Sequence, residues 1–432
     1  MRAVARVAFT VAAVLAGAMP CVANKVWVVA PSGPADFSQI QPAVDAASDG
    51  DTILVKPGSY PGFTIDDKAL SVVGDTGALF HALGTISVRN LSAGKTAVLG
   101  NFITWAASSP AMRVRNSTGS VRVQAAQFGV TSFQTSSPTA AVEILSCGDV
   151  FLTACSLTGA DGAPNVNGSV ARPGGNGMTA DASNVAIYDC TLQGGRGGNG
   201  GNQLWGSGAA GGNGCRVMGG FVFASNSVIR GGQGGDSSPE GNCFSGFGYV
   251  GDGGDGVSIS APAHGEFLGV TAEGGPIGQD HGSNPAGCVC PNCLCGCYGG
   301  NDGVPIDDPA LVHVIPGSPR VLQAPLVVRE NASVPLDFQG APNDALFLYM
   351  ARQTLFQFSL PRKGVYVLPM SSPILAIGTA DGAGHHTNGF IAPDLGAAAQ
   401  SRVYFLQSLH RTGAAERTLG TGRCVVVLDQ AF

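Results

Sequence analysis

Val185-Ala186-Ile187-Tyr188-Asp189-Cys190-Thr191-Leu192 decides the reading of this chain. Apolar residues alternate up to Ile187, a two-residue corner follows, and the alternation resumes at Cys190 with its phase shifted. Val150-x-Leu152-x-x-Cys155-x-Leu157 and Val121-x-Val123-x-x-Ala126-x-Phe128 keep the same spacing. Val222-x-Ala224-x-x-Ser227-x-Ile229 and Gly265-x-Phe267-x-x-Val270-x-Ala272 are weaker copies. Two short strands joined by such a corner keep alternate side chains inward while the chain turns. One unit alone cannot bury its apolar face, whereas a stack of units builds a continuous core with about 4.8 Å per rung.

The intervals between the units grow, and the added length falls in one place. Glycine-rich loops follow at 159–177, 194–214, 231–256 and 274–303, closing with Gly174-Gly175-Asn176-Gly177, Gly211-Gly212-Asn213-Gly214, Gly253-Gly254-Asp255-Gly256 and Gly299-Gly300-Asn301-Asp302-Gly303. Equal placement in successive rungs predicts that the loops emerge on one flank and overlie each other. Two readings of the glycines stand open. They supply left-handed turns in long surface loops, or they form extended chains packed backbone to backbone, for which a Cβ leaves no room. The large groups on the flank are Trp205, Phe244, Phe247, Tyr249 and Tyr298. Trp205, Phe247, Tyr249 and Tyr298 are the candidate ligand-binding residues, placed to stack on sugar rings; pinning the loops is their structural alternative.

Upstream, Lys25-Val26-Trp27-Val28-Val29 reads as a strand. Asp36 with Gln39 three residues on forms a capping-box pattern, and Ile40, Ala43, Val44 and Ala47 line one helix face. Gly50-Asp51-Thr52-Ile53-Leu54-Val55-Lys56-Pro57-Gly58-Ser59-Tyr60 follows. Over about residues 25–75 this order resembles the opening of the pectin-lyase-like right-handed parallel β-helix superfamily. The resemblance implies an all-β right-handed parallel solenoid over residues 24–310, its open end plugged by the short helix.

Arg2 and Arg6, the apolar run Val7 to Met19, and Cys21-Val22-Ala23 have the layout of a cleavable signal peptide over residues 1–23, which predicts a secreted or cell-surface protein. That run is shorter than the roughly 20 residues of a membrane span. Sixty-five glycines in 432 residues and 12% charged residues argue against long helices, and a net charge of −6 argues against a nucleic-acid partner. Pro305 to Pro325 is Pro-rich and aperiodic, so residues 311–325 read as a linker. Short alternating strands over 326–432 then predict a small antiparallel β-sandwich. This last stretch, at Ile391-Ala392-Pro393-Asp394-Leu395 and Tyr404-Phe405-Leu406-Gln407, resembles an uncharacterised C-terminal β-module of secreted bacterial proteins.

Of 12 cysteines, five fall in ten residues at Cys288, Cys290, Cys293, Cys295 and Cys297. In an oxidising compartment the expectation is disulfide stapling of the longest loop, with Cys243 as a candidate partner; a thiolate metal site is the alternative. Cys155 and Cys190 share an inward column and read as stacked core thiols. Superfamily enzymes place catalytic residues in motifs that fail here. Asp252, Asp255, Asp280 and Asp302 lie in loops without the lyases' Arg-x-Pro-x-x-Arg segment. Asp307-Asp308 follows Ala263-His264-Gly265 in the wrong order for polygalacturonases. His385-His386 with Asp381 reads as a polar loop. The Gly-Gly-Asn/Asp-Gly closures resemble a calcium-binding nonapeptide but lack its register, so calcium is the one cofactor left open and no catalytic residue is assigned. The expectation is a non-catalytic structural, adhesive or carbohydrate-binding scaffold whose partners are extracellular polysaccharide or cell-surface components. A polysaccharide lyase or hydrolase acting on acidic polysaccharide is the alternative.

Overall fold

The computed structural model describes residues 24–75, 79–107, 110–130, 139–166, 170–201, 206–237, 249–279, 299–413 and 416–432. The signal-peptide segment lies outside them. The described chain is all-β; its one α-helix is Ile40–Ala46. The expected apolar face, Ile40, Ala43, Val44 and Ala47, is buried against the first strands. The capping box does not form. Gln39 is the N-cap without a side-chain bond, and the Asp36 carboxylate instead accepts the Val28 N–H at 2.8 Å, tying the loop back to the opening strand.

Strands pair in parallel and the chain visits three ladders in turn. The first runs from Val26–Val29 through Thr52–Val55 and Ser71–Gly74 to Ser183–Tyr188, Gly220–Ser225, His264–Leu268 and Val312–Val314. The register read from the repeats holds: Val121, Val150, Val185, Val222 and Gly265 are successive partners. So are Phe128, Leu157, Leu192, Ile229 and Ala272 in the second ladder. The corners are left-handed. Asn101, Ala125, Ala154, Asp189 and Asn226 have φ of 56°, 55°, 52°, 55° and 49°, the conformation that reverses side-chain phase between strands.

Inside the stack, Ile53, Val72, Leu99, Val123, Leu152, Ile187, Ala224 and Phe267 form one unbroken inward column. Cys155 and Cys190 sit in the interior as free thiols, as expected. Their sulfurs serve the corner: the Cys155 N–H donates to Cys190 Sγ at 3.3 Å, and the Cys190 N–H to Ser227 Oγ at 3.1 Å.

The Pro-rich stretch read as a linker carries two strands. Val312–Val314 closes the first ladder, and Val321–Gln323 pairs with Ser333–Gln339. Beyond it, a three-stranded antiparallel sheet and a five-stranded sheet share a core that includes Val334, Leu336, Phe338, Leu346, Leu348 and Leu406. The larger sheet is not wholly antiparallel, since Val327–Arg329 runs parallel to Glu416–Leu428. Its other face covers the outward residues of the first ladder. Leu54, Val73, Val98, Phe151, Tyr188 and Phe223 pack with Phe405, Leu409, Cys424 and Val426. The ladder is therefore buried on both sides, as its continuous Thr52-Ile53-Leu54-Val55 run requires. Polar groups lock the junction. Arg122 lies 3.4 Å from the Phe151 ring centroid and donates to Val367 O at 3.0 Å. Gln124 exchanges two bonds with the Cys424 backbone. Arg423 pairs with Asp189 at 2.9 Å.

Candidate functional site

The glycine flank is a lattice of extended chains. In the second loop, Gly194, Gly197 and Gly200 donate to Arg230, Gln233 and Asp236 of the next rung's outgoing chain. Gly195 and Gly198 donate to Gly175 and Arg172 of the previous rung's returning chain. Gly231, Gly234 and Ser237, with Gly232 and Gly235, repeat the pattern one rung on. A hydrogen-bond period of three is that of a polyproline II chain. Gly175, Gly195, Gly212, Gly232, Gly254, Gly275 and Gly303 form a zigzag joined by bonds of 2.7–2.9 Å. A Cβ on Gly195, Gly212, Gly232, Gly254, Gly275 or Gly303 would fall on a neighbouring carbonyl oxygen, well inside the 3.0 Å that real Cβ atoms keep, and none of these glycines has a left-handed φ. The turn reading is therefore overturned: close approach, not positive φ, demands glycine here.

Seven of the loops' Asn and Asp residues have a shared role. Each accepts, through Oδ1, the N–H of a residue on the next rung, and the residue after it donates its own N–H to that residue's carbonyl. Asn176-Gly177 grips Asn213 in this way, Asn213-Gly214 grips Asp255, and Asp255-Gly256 grips Val304. Asp161-Gly162 holds Arg196, Asn199-Gly200 holds Asp236, Asp236-Ser237 holds Gln279, and Asp252-Gly253 holds Asn301. The Asp302 carboxylate caps the Ile277 N–H at 2.9 Å. These two-bond clamps account for the Gly-Gly-Asn/Asp-Gly closures that resembled a calcium signature. Among the described residues, no group of three His, Cys, Asp or Glu side chains is disposed to hold a metal ion.

Of the candidate ligand residues, Tyr249 is 50% exposed beside the lattice; its N–H donates to Ser207 Oγ and its carbonyl accepts from Gly208. Trp205, Phe247 and Tyr298 lie outside the described residues, as do Cys243, Cys288, Cys290, Cys293, Cys295 and Cys297. Cys147, Cys155, Cys190, Cys215 and Cys424 are buried and unpaired, and no disulfide occurs among the described residues. Burial pushes the Cys215 thiol up to about 12 and the Cys424 thiol to about 11, so neither is a nucleophile.

A different aromatic stands out. Trp105 is 43% exposed on the outward face of the second ladder. Its register partners are Leu83 and Gly129. The six-membered ring lies over the Gly129 Cα, where a Cβ would meet Cη2 at 3.0 Å and the ring carbons Cζ3 and Cε3 closer still. Outward positions on adjoining strands are Gln127 and Ser156, and they line a cleft with Leu79, Phe102, Ala154 and Asp189. A second cleft across the same corner is lined by Asn226, Gln323, Gln339 and Arg423. Trp105 precedes the strong repeats, so the spacing argument gave it no register; its signal was a tryptophan opposite a glycine one rung on.

A Ser-His-Asp grouping occurs among the described residues, and it is buried. His410 Nε2 lies 3.1 Å from Ser408 Oγ, and His410 Nδ1 is 3.6 Å from Asp344 Oδ2. All three residues are 0% exposed. The second distance exceeds a hydrogen bond, and no substrate reaches the hydroxyl in this packing. Asp344 is instead the hub of a structural network. Arg320 Nε stands 2.6 Å from it, and Thr412 and the Ala341 N–H bond it. Burial works against its charge, yet these partners hold the carboxyl well below the usual carboxylate range. His385-His386 is not a loop: both lie in the strand His385–Ile391, and Asp381 bonds the His385 and Ala383 N–H groups.

No helix of the described residues is long and apolar enough to cross a membrane. Compared with known proteins, the sequence matches no family model and no characterised protein.

Proposed function

We propose that this chain is an exported right-handed parallel β-helix, resembling the pectin-lyase-like superfamily, with a β-sandwich docked along its side. It acts as a non-catalytic scaffold that binds extracellular polysaccharide or cell-surface glycan. The observation that carries the reading is the Trp105 ring, supported on Gly129 and still 43% exposed. Aromatic faces stack on sugar C–H surfaces, while neighbouring polar side chains fix hydroxyls. Gln127 and Ser156 line a cleft two register positions back from the Trp105–Gly129 pair and offer polar groups there, and Tyr249 offers an exposed ring on the glycine flank. The lattice supports a scaffold role, because its backbone groups are satisfied from rung to rung.

A glycan array tests this with the full mature chain. Trp105→Ala is expected to lower retention at least about tenfold, the equivalent of a stacking contact worth near 1.4 kcal/mol; unchanged retention rejects the site. Incubation with acidic polysaccharides, with and without calcium, addresses the lyase or hydrolase alternative. New unsaturated or reducing ends would overturn the non-catalytic reading.

A further inference from the structure

Five Asn-Gly pairs occur in the sequence, at Asn167, Asn176, Asn199, Asn213 and Asn388; the first lies outside the described residues. We propose that Asn388 is a site of self-modification, converting to aspartyl and isoaspartyl forms in the folded protein, while Asn176, Asn199 and Asn213 are protected by the lattice. The reaction needs the backbone nitrogen of the following residue to reach the Asn side-chain carbon. At Asn388 the Gly389 N–H donates to Asn388 Oδ1 at 2.7 Å, which holds Cγ against that nitrogen. The Asn388 amide nitrogen, the leaving group, donates to Ile377 O at 3.3 Å. Both residues are exposed. They sit in the edge strand His385–Ile391, opposite Leu336 and Pro335, so water has access.

The step balances without any reagent but water. The Gly389 nitrogen gives its proton to solvent and bonds to Asn388 Cγ; the Cγ–Nδ2 bond breaks, and ammonia leaves with that proton equivalent. Water then opens the five-membered imide at either carbonyl. Opening at one returns the normal backbone with Asp at 388. Opening at the other inserts the side-chain carbon into the main chain.

In the lattice the same dipeptide is held the opposite way. The Gly177, Gly200 and Gly214 N–H groups are spent on the carbonyls of Asn213, Asp236 and Asp255 at 2.8–2.9 Å. The Asn176, Asn199 and Asn213 Oδ1 atoms take the N–H groups of those same next-rung residues. Nucleophile and electrophile are thereby bonded to different atoms of a neighbouring chain, and ring closure requires the lattice to open first.

The test ages the intact folded chain in mildly alkaline buffer and measures amide-to-acid conversion and isoaspartate at each site by peptide mapping. Asn388 is expected to convert more than about tenfold faster than Asn176, Asn199 and Asn213, whose rates follow lattice opening. In guanidinium the four rates are expected to converge, because all share the Asn-Gly sequence. Equal rates in the folded protein would overturn the proposal. So would a lead for Asn388 that persists undiminished after unfolding, since sequence rather than geometry would then set it.

Discussion

Gly212→Ala is the sharpest perturbation of the glycine flank. Gly212 has no left-handed φ, so alanine can adopt its backbone. In an open position such a change stabilises by about 0.4–1 kcal/mol, by restricting the unfolded chain. Here the new Cβ lands on the Gly175 carbonyl, and Gly174 C lies only 2.9 Å away. These are backbone atoms that cannot swing aside as a side-chain tip does. Separating the chains to ordinary contact breaks or strains Gly212 N–H to Gly195 O (2.8 Å) and Gly232 N–H to Gly212 O (2.7 Å). Two buried bonds left unmade, at about 1–3 kcal/mol each, give an expected loss of roughly 3–5 kcal/mol. Gly382 is the internal control, with nothing within 4 Å of its Cβ position and no left-handed φ. Urea midpoints report the global effect, and amide exchange at Gly195, Gly212 and Gly232 reports opening confined to the flank. If Gly212→Ala matches Gly382→Ala within about 0.5 kcal/mol and leaves that exchange unchanged, close backbone packing is not what requires glycine.

Asn213→Ala removes the acceptor for the Asp255 N–H and is expected to cost about 1–2 kcal/mol, whereas Asn213→Asp keeps an Oδ and stays near wild type in the same urea series, as the native Asp255 clamp on Val304 does. Asp189→Asn leaves the Arg423 guanidinium buried without its counter-charge and is expected to cost about 3 kcal/mol in thermal or urea unfolding; pairing it with Arg423→Met recovers most of the loss. Burial holds His410 below its ordinary pKa against the pull of Asp344, so the unfolded chain binds a proton that the folded chain refuses. Stability is then complete above about pH 6.5 and falls as pH drops toward the folded value. Asp344, depressed in the fold, adds a second loss below about pH 4. A pH series of unfolding midpoints is expected to show both stages, and His410→Gln to abolish the first alone.

The interior was legible because inward positions obey one period and one corner. Val185, Ile187 and Leu192 each met the register partner their spacing required. The docked sheet was encoded but not read. An outward face left to water alternates with polar residues, and Ile53, Leu54 and Val55 do not; the continuous run signalled a cover on both sides. What covered it was illegible, since the partner strands lie near the other end of the chain, as Gln124 with Cys424 and Thr52 with Ser401 show. The capping box failed for a local reason. Asp36 had a better donor in the Val28 N–H than in the helix it was expected to begin.

The flank was half legible, and the missing half is physical. Glycine repeats specify freedom from a side chain, but that freedom serves a turn or a close approach equally well. The deciding information is the third residue of each triplet. In a chain of period three, two amides face neighbouring chains and the third faces outward with no backbone partner, so a triplet lattice needs a side-chain acceptor there. Asn and Asp are short enough to reach the next rung and carry the required carbonyl oxygen; Arg196 and Gln233, at the same phase, do not form the clamp: the glycines that follow them bond the next rung's backbone, and the Arg196 guanidinium reaches Asp236 there as an ion pair. The Gly-Gly-Asx recurrence is therefore the lattice's own specification, and the acidic residues of the flank are consumed by the backbone before any ligand can use them. Recognition is left to large side chains that stay exposed, which is why Trp105 and Tyr249, rather than the aspartates, are the residues to mutate first.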